Sequence, residues 1–314
     1  MFGPEVLGCQ SVFAAISMKD LLVAAIGSLA GAWGGAYAAQ RIADASKQRE
    51  RLELEIKSCN ELLELVHGIA NSYINAKEQQ VESLRTQYRI KRVLAHWHHQ
   101  RLEAGDVAPG TAIELGQINF SLLNLPMAQV DGIEKILSEK LTISGRTRTL
   151  VGVLRGCISV LGEMSTDRNA WLRRFQAAEL NNHDKARLIF GLPNRSGDVD
   201  DTYGNLVEGI HQHVDDCIMF AVMLGEDARK HGLSIRRTYR KDFGRDVPRV
   251  GRLCFEDVEK RGMMPDRSAY QSWDRAVASL PATTRGRLLK SFCYWKRVRW
   301  RRFFAKGASA RLSR

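Results

Sequence analysis

The stretch Leu21-Leu22-Val23-Ala24-Ala25-Ile26-Gly27-Ser28-Leu29-Ala30-Gly31-Ala32-Trp33-Gly34-Gly35-Ala36-Tyr37-Ala38-Ala39 runs nineteen residues without a charge. A helix of about that length crosses the hydrocarbon core of a bilayer. Gly27, Gly31 and Gly35 recur at every fourth position and share one face, where a second helix can approach closely. Arg41, Lys47, Arg49 and Arg51 follow the run, whereas Lys19 is the one basic residue before it. Cytoplasmic flanks carry the positive excess. The pattern therefore predicts a single-pass membrane protein with its N-terminus outside and the bulk of the chain cytoplasmic.

Two other readings compete. Seven Ala and four Gly leave the run only moderately apolar. If translation starts at Met18, the run reads as a signal peptide with Ala36-Tyr37-Ala38 as a small-x-small cleavage site, and the product is secreted. The third reading is a buried helix of a globular domain. Asp20, which spoils a positive n-region, and the basic cluster after the run favour the retained anchor. Val6-Leu7-Gly8-Cys9 has no apolar stretch before it to make a lipoprotein signal.

Beyond the run, Leu52, Ile56, Cys59, Leu63, Val66, Ala70 and Tyr73 recur at alternating steps of four and three. This is the heptad pattern of a continuous packing stripe. In the same phase, backwards, lie Arg49, Ala45, Ile42, Ala38, Gly35 and Gly31. One long helix is predicted from about Asp20 to His99, bending if anywhere near Gly68. The seam lapses at Lys77 and Gln80 and resumes at Leu84. It serves either a parallel homodimer or packing against the chain's own later helices. The dimer carries a tension, since glycine-face crossings are mostly right-handed and heptad seams left-handed.

The remainder reads as all-α. Prolines are few, seven in 314 residues, and strand-like alternation is scarce. Residues 105–110 form a loop. Apolar positions from Ile113 to Leu141 predict a helix kinked or broken at Pro126. Further helices are predicted over Thr149–Ala178 and Tyr203–His231, separated by the turn-forming residues Leu192 to Asp198. The expected organisation is a tail over 1–20, a transmembrane helix over 21–39, an antiparallel helical bundle over 40–232 and a basic C-terminal helical region over 233–314.

Charge is concentrated in that last region. Leu233 to Arg314 holds 22 Lys and Arg against 7 Asp and Glu. Lys290, Trp295, Lys296, Arg297, Arg299, Trp300, Arg301 and Arg302 interleave aromatics with cations. Such a segment suits anionic lipid headgroups. Nucleic acid is the competing polyanion. Expected partners are therefore the membrane, anionic lipid headgroups and a second copy of the chain, with nucleic acid as the alternative.

Chemistry-bearing motifs are sparse. Glu64/His67 and Glu208/His211 are two Glu-x-x-His pairs, the arrangement that di-iron bundles use, and Asp215 shares a helical face with His211. They are the weak candidates for a metal-binding, membrane-anchored bundle enzyme. His213 is expected to point elsewhere. His96, His98 and His99 read as residues near a helix C-terminus. Six scattered cysteines with no C-x-x-C argue against a zinc ribbon, and Cys59, Cys157 and Cys217 read as reduced core residues. No phosphate-binding loop, nucleophile elbow or kinase signature occurs, so no cofactor and no catalytic residue is expected. Self-association, scaffolding or sensing at the membrane, with bilayer perturbation as an extension, is the expected function.

Overall fold

A computed structural model describes residues 18–108, 120–143, 145–194, 196–244 and 246–278, the side chains of 18–21, 24, 274 and 276–278 excepted. These residues form helices and loops with no strand among them. The chain divides into two compact units, Met1–Glu53 and Leu54–Arg314, and the division falls within the first helix, α1 (Met18–Ala76).

In the first unit α1 is exposed. Every described side chain from Leu22 to Arg51 faces solvent, and its side chains engage their neighbours one turn along. Gln40 donates to Asp44 at 3.2 Å, Trp33 stacks on Tyr37 and Arg41 lies over the Tyr37 ring. The transmembrane helix expected over 21–39 is not matched: no helix among the described residues is long and apolar enough to cross a membrane. The physical reason is dilution, because Ala and Gly carry little area to transfer from water. Leu21 and Ala24 of that run lie outside the described side chains.

In the second unit the rest of α1 is a core helix. Ile56, Cys59, Leu63, Val66, Ala70 and Tyr73 are all buried, joined by Leu62, Ile69 and Ile74. The seam is thus filled from within the chain over this stretch. A Cβ on Gly232 would sit 3.2 Å from that of Cys59, so the absence of a side chain there lets α6 (Thr202–Phe243) approach α1 closely. Glu55 accepts hydrogen bonds from the Thr142 amide at 3.0 Å, from the Thr142 hydroxyl and from His231 Nε2 at 2.8 Å. Burial pushes its carboxyl up, but these bonds and the His231 charge outweigh it and hold the pKa below its ordinary value.

The α-winding runs unbroken through Gly68 and changes at a π-helical turn, Lys77–Val81, where the seam lapses, followed by α2 (Glu82–Glu103). Next come α3 (Asp131–Glu139), α4 (Arg146–Ala177) and α5 (Asn182–Phe190). Asn181 caps α5 by accepting from the Asp184 amide at 2.8 Å, and Gly191 ends it at φ +64°. Helix α6 packs mainly on α4, with α2 and α5 against it as well. It runs on past His231 and past the expected boundary at 232, and Tyr239 is still buried. A short α7 (Glu256–Lys260), a 3-10 turn (Arg267–Tyr270) and α8 (Gln271–Ala278) complete the described chain.

The helix expected around Pro126 is absent over 120–130. Pro126 has no N–H to give, and its predecessor is biased away from helix. The segment instead runs as a strap whose backbone bonds to side chains. Asn169 accepts from the Leu123 amide at 3.0 Å and donates to the Leu123 carbonyl at 2.8 Å. Arg168, fully buried, donates to Ser121 O, and Tyr73 donates to Pro126 O. Ile113 and Ile118 lie outside the described residues.

Candidate functional site

Three features emerge from these elements: a two-faced exposed helix, an ionic ladder and a cavity. On the exposed part of α1, Leu22, Ile26, Leu29, Trp33 and Tyr37 are 56–77% exposed. At about 100° of turn per residue these five fall in one stripe, Gly27, Gly31 and Gly35 fall on the opposite side, and Gly34 lies on the flank between. Nothing lies within 4 Å of where a Cβ would stand on any of the four glycines. Gly27, Gly31 and Gly35 are therefore open positions with no neighbour among the described residues.

The ladder joins α6 to the π-helical turn and α2. Lys77, 4% exposed, pairs with Asp215 at 2.7 Å and donates to Met263 O at 3.0 Å. Glu82 meets His211 Nε2 at 2.9 Å, and Arg85 and Arg89 both reach Glu208. Arg92 pairs with Asp201 at 3.0 Å, and His96 meets Phe190 O at 3.0 Å. Burial raises the Glu82 and Glu208 carboxyls, and their cationic and imidazole partners outweigh it to leave both pKa values lowered.

The ladder fixes the standing of the Glu-x-x-His candidates. Glu208 is held by two guanidiniums, and His211 lies between Glu82 and Asp215. Glu64 is exposed, and His67 contacts Asn71 and the Phe255 ring. Among the described residues, the group of His, Cys, Asp and Glu whose ligand atoms converge contains none of Glu64, His67, Glu208, His211 or Asp215.

That group is Cys157, His213 and Asp216, all buried, with ligand atoms within 4.8 Å of one another. It lines a cavity of about 980 Å³ between α4, α6, the strap and the 3-10 turn with α8. Met127, Glu163, Phe220 and Trp273 form other parts of the wall. Phe220 packs edge-on against Tyr270 and Trp273, which ties the last described segment to α6. Tyr270 donates its hydroxyl to Asp216 Oδ1 at 2.9 Å. Burial and the Asp216 charge push that phenol far up, so it stays a proton donor.

Sequence reasoning missed this group. Cys157 was read as core, and His213 was set aside for not facing His211. The available signal was His213 with Asp216, three apart on one face of α6, but nothing in the sequence brings Cys157 of α4 to them. Cys59, Cys157 and Cys217 are buried thiols, while Cys254 is exposed. Burial pushes the Cys59 thiol up to about 12, with Glu55 adding to it. Lys290, Trp295, Lys296, Arg297, Arg299, Trp300, Arg301 and Arg302 lie outside the described residues. No protein-family model, curated protein or solved structure matches this chain.

Proposed function

We propose that the chain self-associates through the glycine face of its N-terminal helix and presents the opposite, bulky face to lipid, holding the helical bundle at a membrane. The observation that supports this is the stripe Leu22, Ile26, Leu29, Trp33 and Tyr37, left open to solvent with the glycines behind it. A contiguous apolar stripe of this kind calls for a covering partner. Helices of marginal apolarity gain from association, because close backbone approach at glycine supplies the packing that transfer alone does not. The exposed Arg41, Lys47, Arg49 and Arg51 then keep the bundle on the cytoplasmic side and meet anionic headgroups. The basic, aromatic C-terminal segment adds a second contact of the same kind. Assembly, scaffolding or sensing is the role that follows.

Gly31→Leu with Gly35→Leu tests it. No described atom lies within 4 Å of where either Cβ would stand, so a loss of crosslinked oligomer in membranes reports on contacts between chains. Reduced crosslinking with carbonate-resistant membrane retention is the expected result. Unchanged crosslinking removes the glycine face from the proposal, and full release of the unmodified chain by carbonate removes the membrane.

A further inference from the structure

The cavity in the bundle carries a separate inference, independent of the N-terminal helix. We propose that Cys157, His213 and Asp216 form a site for a zinc-class divalent transition metal, with one coordination position open to the cavity.

The donor set is the first argument. A thiol, an imidazole and a carboxylate are the three ligand types that zinc accepts, at about 2.0–2.3 Å. Three protein ligands with a remaining open position are the pattern of zinc sites that bind an exogenous molecule. In a tetrahedral site those bond lengths place ligand atoms about 3.5 Å apart. The present group is within 4.8 Å, so closing on an ion takes a shift of about 1 Å.

The second argument is His213 itself. It is 7% exposed, and its Nδ1 has no hydrogen-bond partner among the described residues. The Asp216 Oδ2 stands 3.5 Å from that nitrogen, beyond a good hydrogen bond. A buried imidazole nitrogen aimed at a carboxylate and left without a hydrogen bond is costly in a core. A cation between them satisfies that nitrogen.

The surroundings supply the rest of a metal site. Tyr270 donates to the other oxygen of Asp216 at 2.9 Å, the kind of outer bond that orients a ligating carboxylate. Glu163, Asp167 and Asp266 also line the cavity and favour entry of a cation. Lys77, buried beside α6, is paired with Asp215, and Arg168 is turned to Ser121 O and the Tyr203 hydroxyl.

The test is cobalt substitution in the full chain, stripped with chelator and titrated with Co²⁺ alone. The expected result is saturation at one equivalent, with visible bands of tetrahedral intensity and a near-ultraviolet thiolate-to-cobalt absorption. Zn²⁺ displaces both. Cys157→Ser abolishes the near-ultraviolet band, Cys254→Ser leaves it intact, and Tyr270→Phe weakens binding roughly ten- to a hundred-fold. A wild-type titration without the thiolate band overturns the proposal, as does a band that survives in Cys157→Ser. If Cys157→Ser does not fold, as judged by its helical melt, His213→Gln decides. An unchanged cobalt spectrum there overturns the site, and at least about a tenfold loss of affinity sustains it.

Discussion

Helix α1 contains two stretches that differ in what covers them. From Leu22 to Arg51 every described side chain is exposed, Trp33 by 77%. From Ile56 to Ile74 the apolar residues of one face are buried, Cys59 and Tyr73 completely. Both carry aliphatic and aromatic side chains at helical spacing. The second meets α6 and the strap, and its one glycine, Gly68, lies on the exposed side. The first places Gly27, Gly31 and Gly35 opposite its bulky stripe, with no described atom within 4 Å of where their Cβ atoms would stand. Apolar content alone therefore does not say where a helix belongs. The complement within the chain does, and over the first stretch no described side chain is covered.

The sharpest way to break the comparison is to cut the same kind of side chain from each stretch. Tyr73→Ala removes a buried ring and its bond to Pro126 O, and should cost the bundle about 3–5 kcal/mol. Trp33→Ala should leave the same denaturant melt within about 0.5 kcal/mol. A matching loss at Trp33 would mean that the bundle does cover it.

Charge gives a second, smaller contrast. Asp215→Asn leaves Lys77 buried without its anion and should destabilise by about 3 kcal/mol. Asp44→Asn, on the exposed stretch, should change nothing measurable in the same chemical denaturation.

Acid titration sharpens the difference further. Glu55, Glu82 and Glu208 have pKa values lowered from 4.5 in the folded chain. Their contribution is fully present above about 4.5 and is lost as pH falls through the depressed folded values. Melting temperature should therefore fall steeply below that point, and Glu55→Gln should flatten the fall while lowering the neutral plateau. An unaltered acid limb in that variant would show that the Thr142 and His231 bonds do not hold the carboxyl.

The smallest effect is local. Gly31→Ala should stabilise the exposed helix by about 1 kcal/mol, slowing amide exchange there about fivefold, with no shift in bundle melting.

Much of the architecture was legible because it follows from periodicity. The seam from Ile56 to Tyr73 identified the buried face, and its lapse at Lys77 and Gln80 coincided with the π-helical turn. Helices α4 and α6 began within a few residues of expectation, since glycine and turn formers flank them. The strap over 120–130 was not legible: its backbone is satisfied by Arg168, Asn169 and Tyr73, whose approach depends on tertiary packing. The ladder was hidden too, because α2 packs through Arg85, Arg89 and Arg92, which look like a solvated face. The Cys157–His213–Asp216 group required knowing which face of α4 meets α6.

The π-helical turn Lys77–Val81 works as a phase shifter. It winds one extra residue into the circuit, so that the apolar stripe before it and the cationic stripe after it can both find their neighbours. Held in regular α-winding, the same extra residue would rotate everything beyond it by about 100°. The wider turn absorbs it, and so Tyr88 keeps its place against Phe190, Tyr203 and the bare backbone of Gly204. The guanidiniums keep their reach to Glu208. A one-residue insertion thus marks the point at which the same winding passes from an oily grammar of packing to an ionic one.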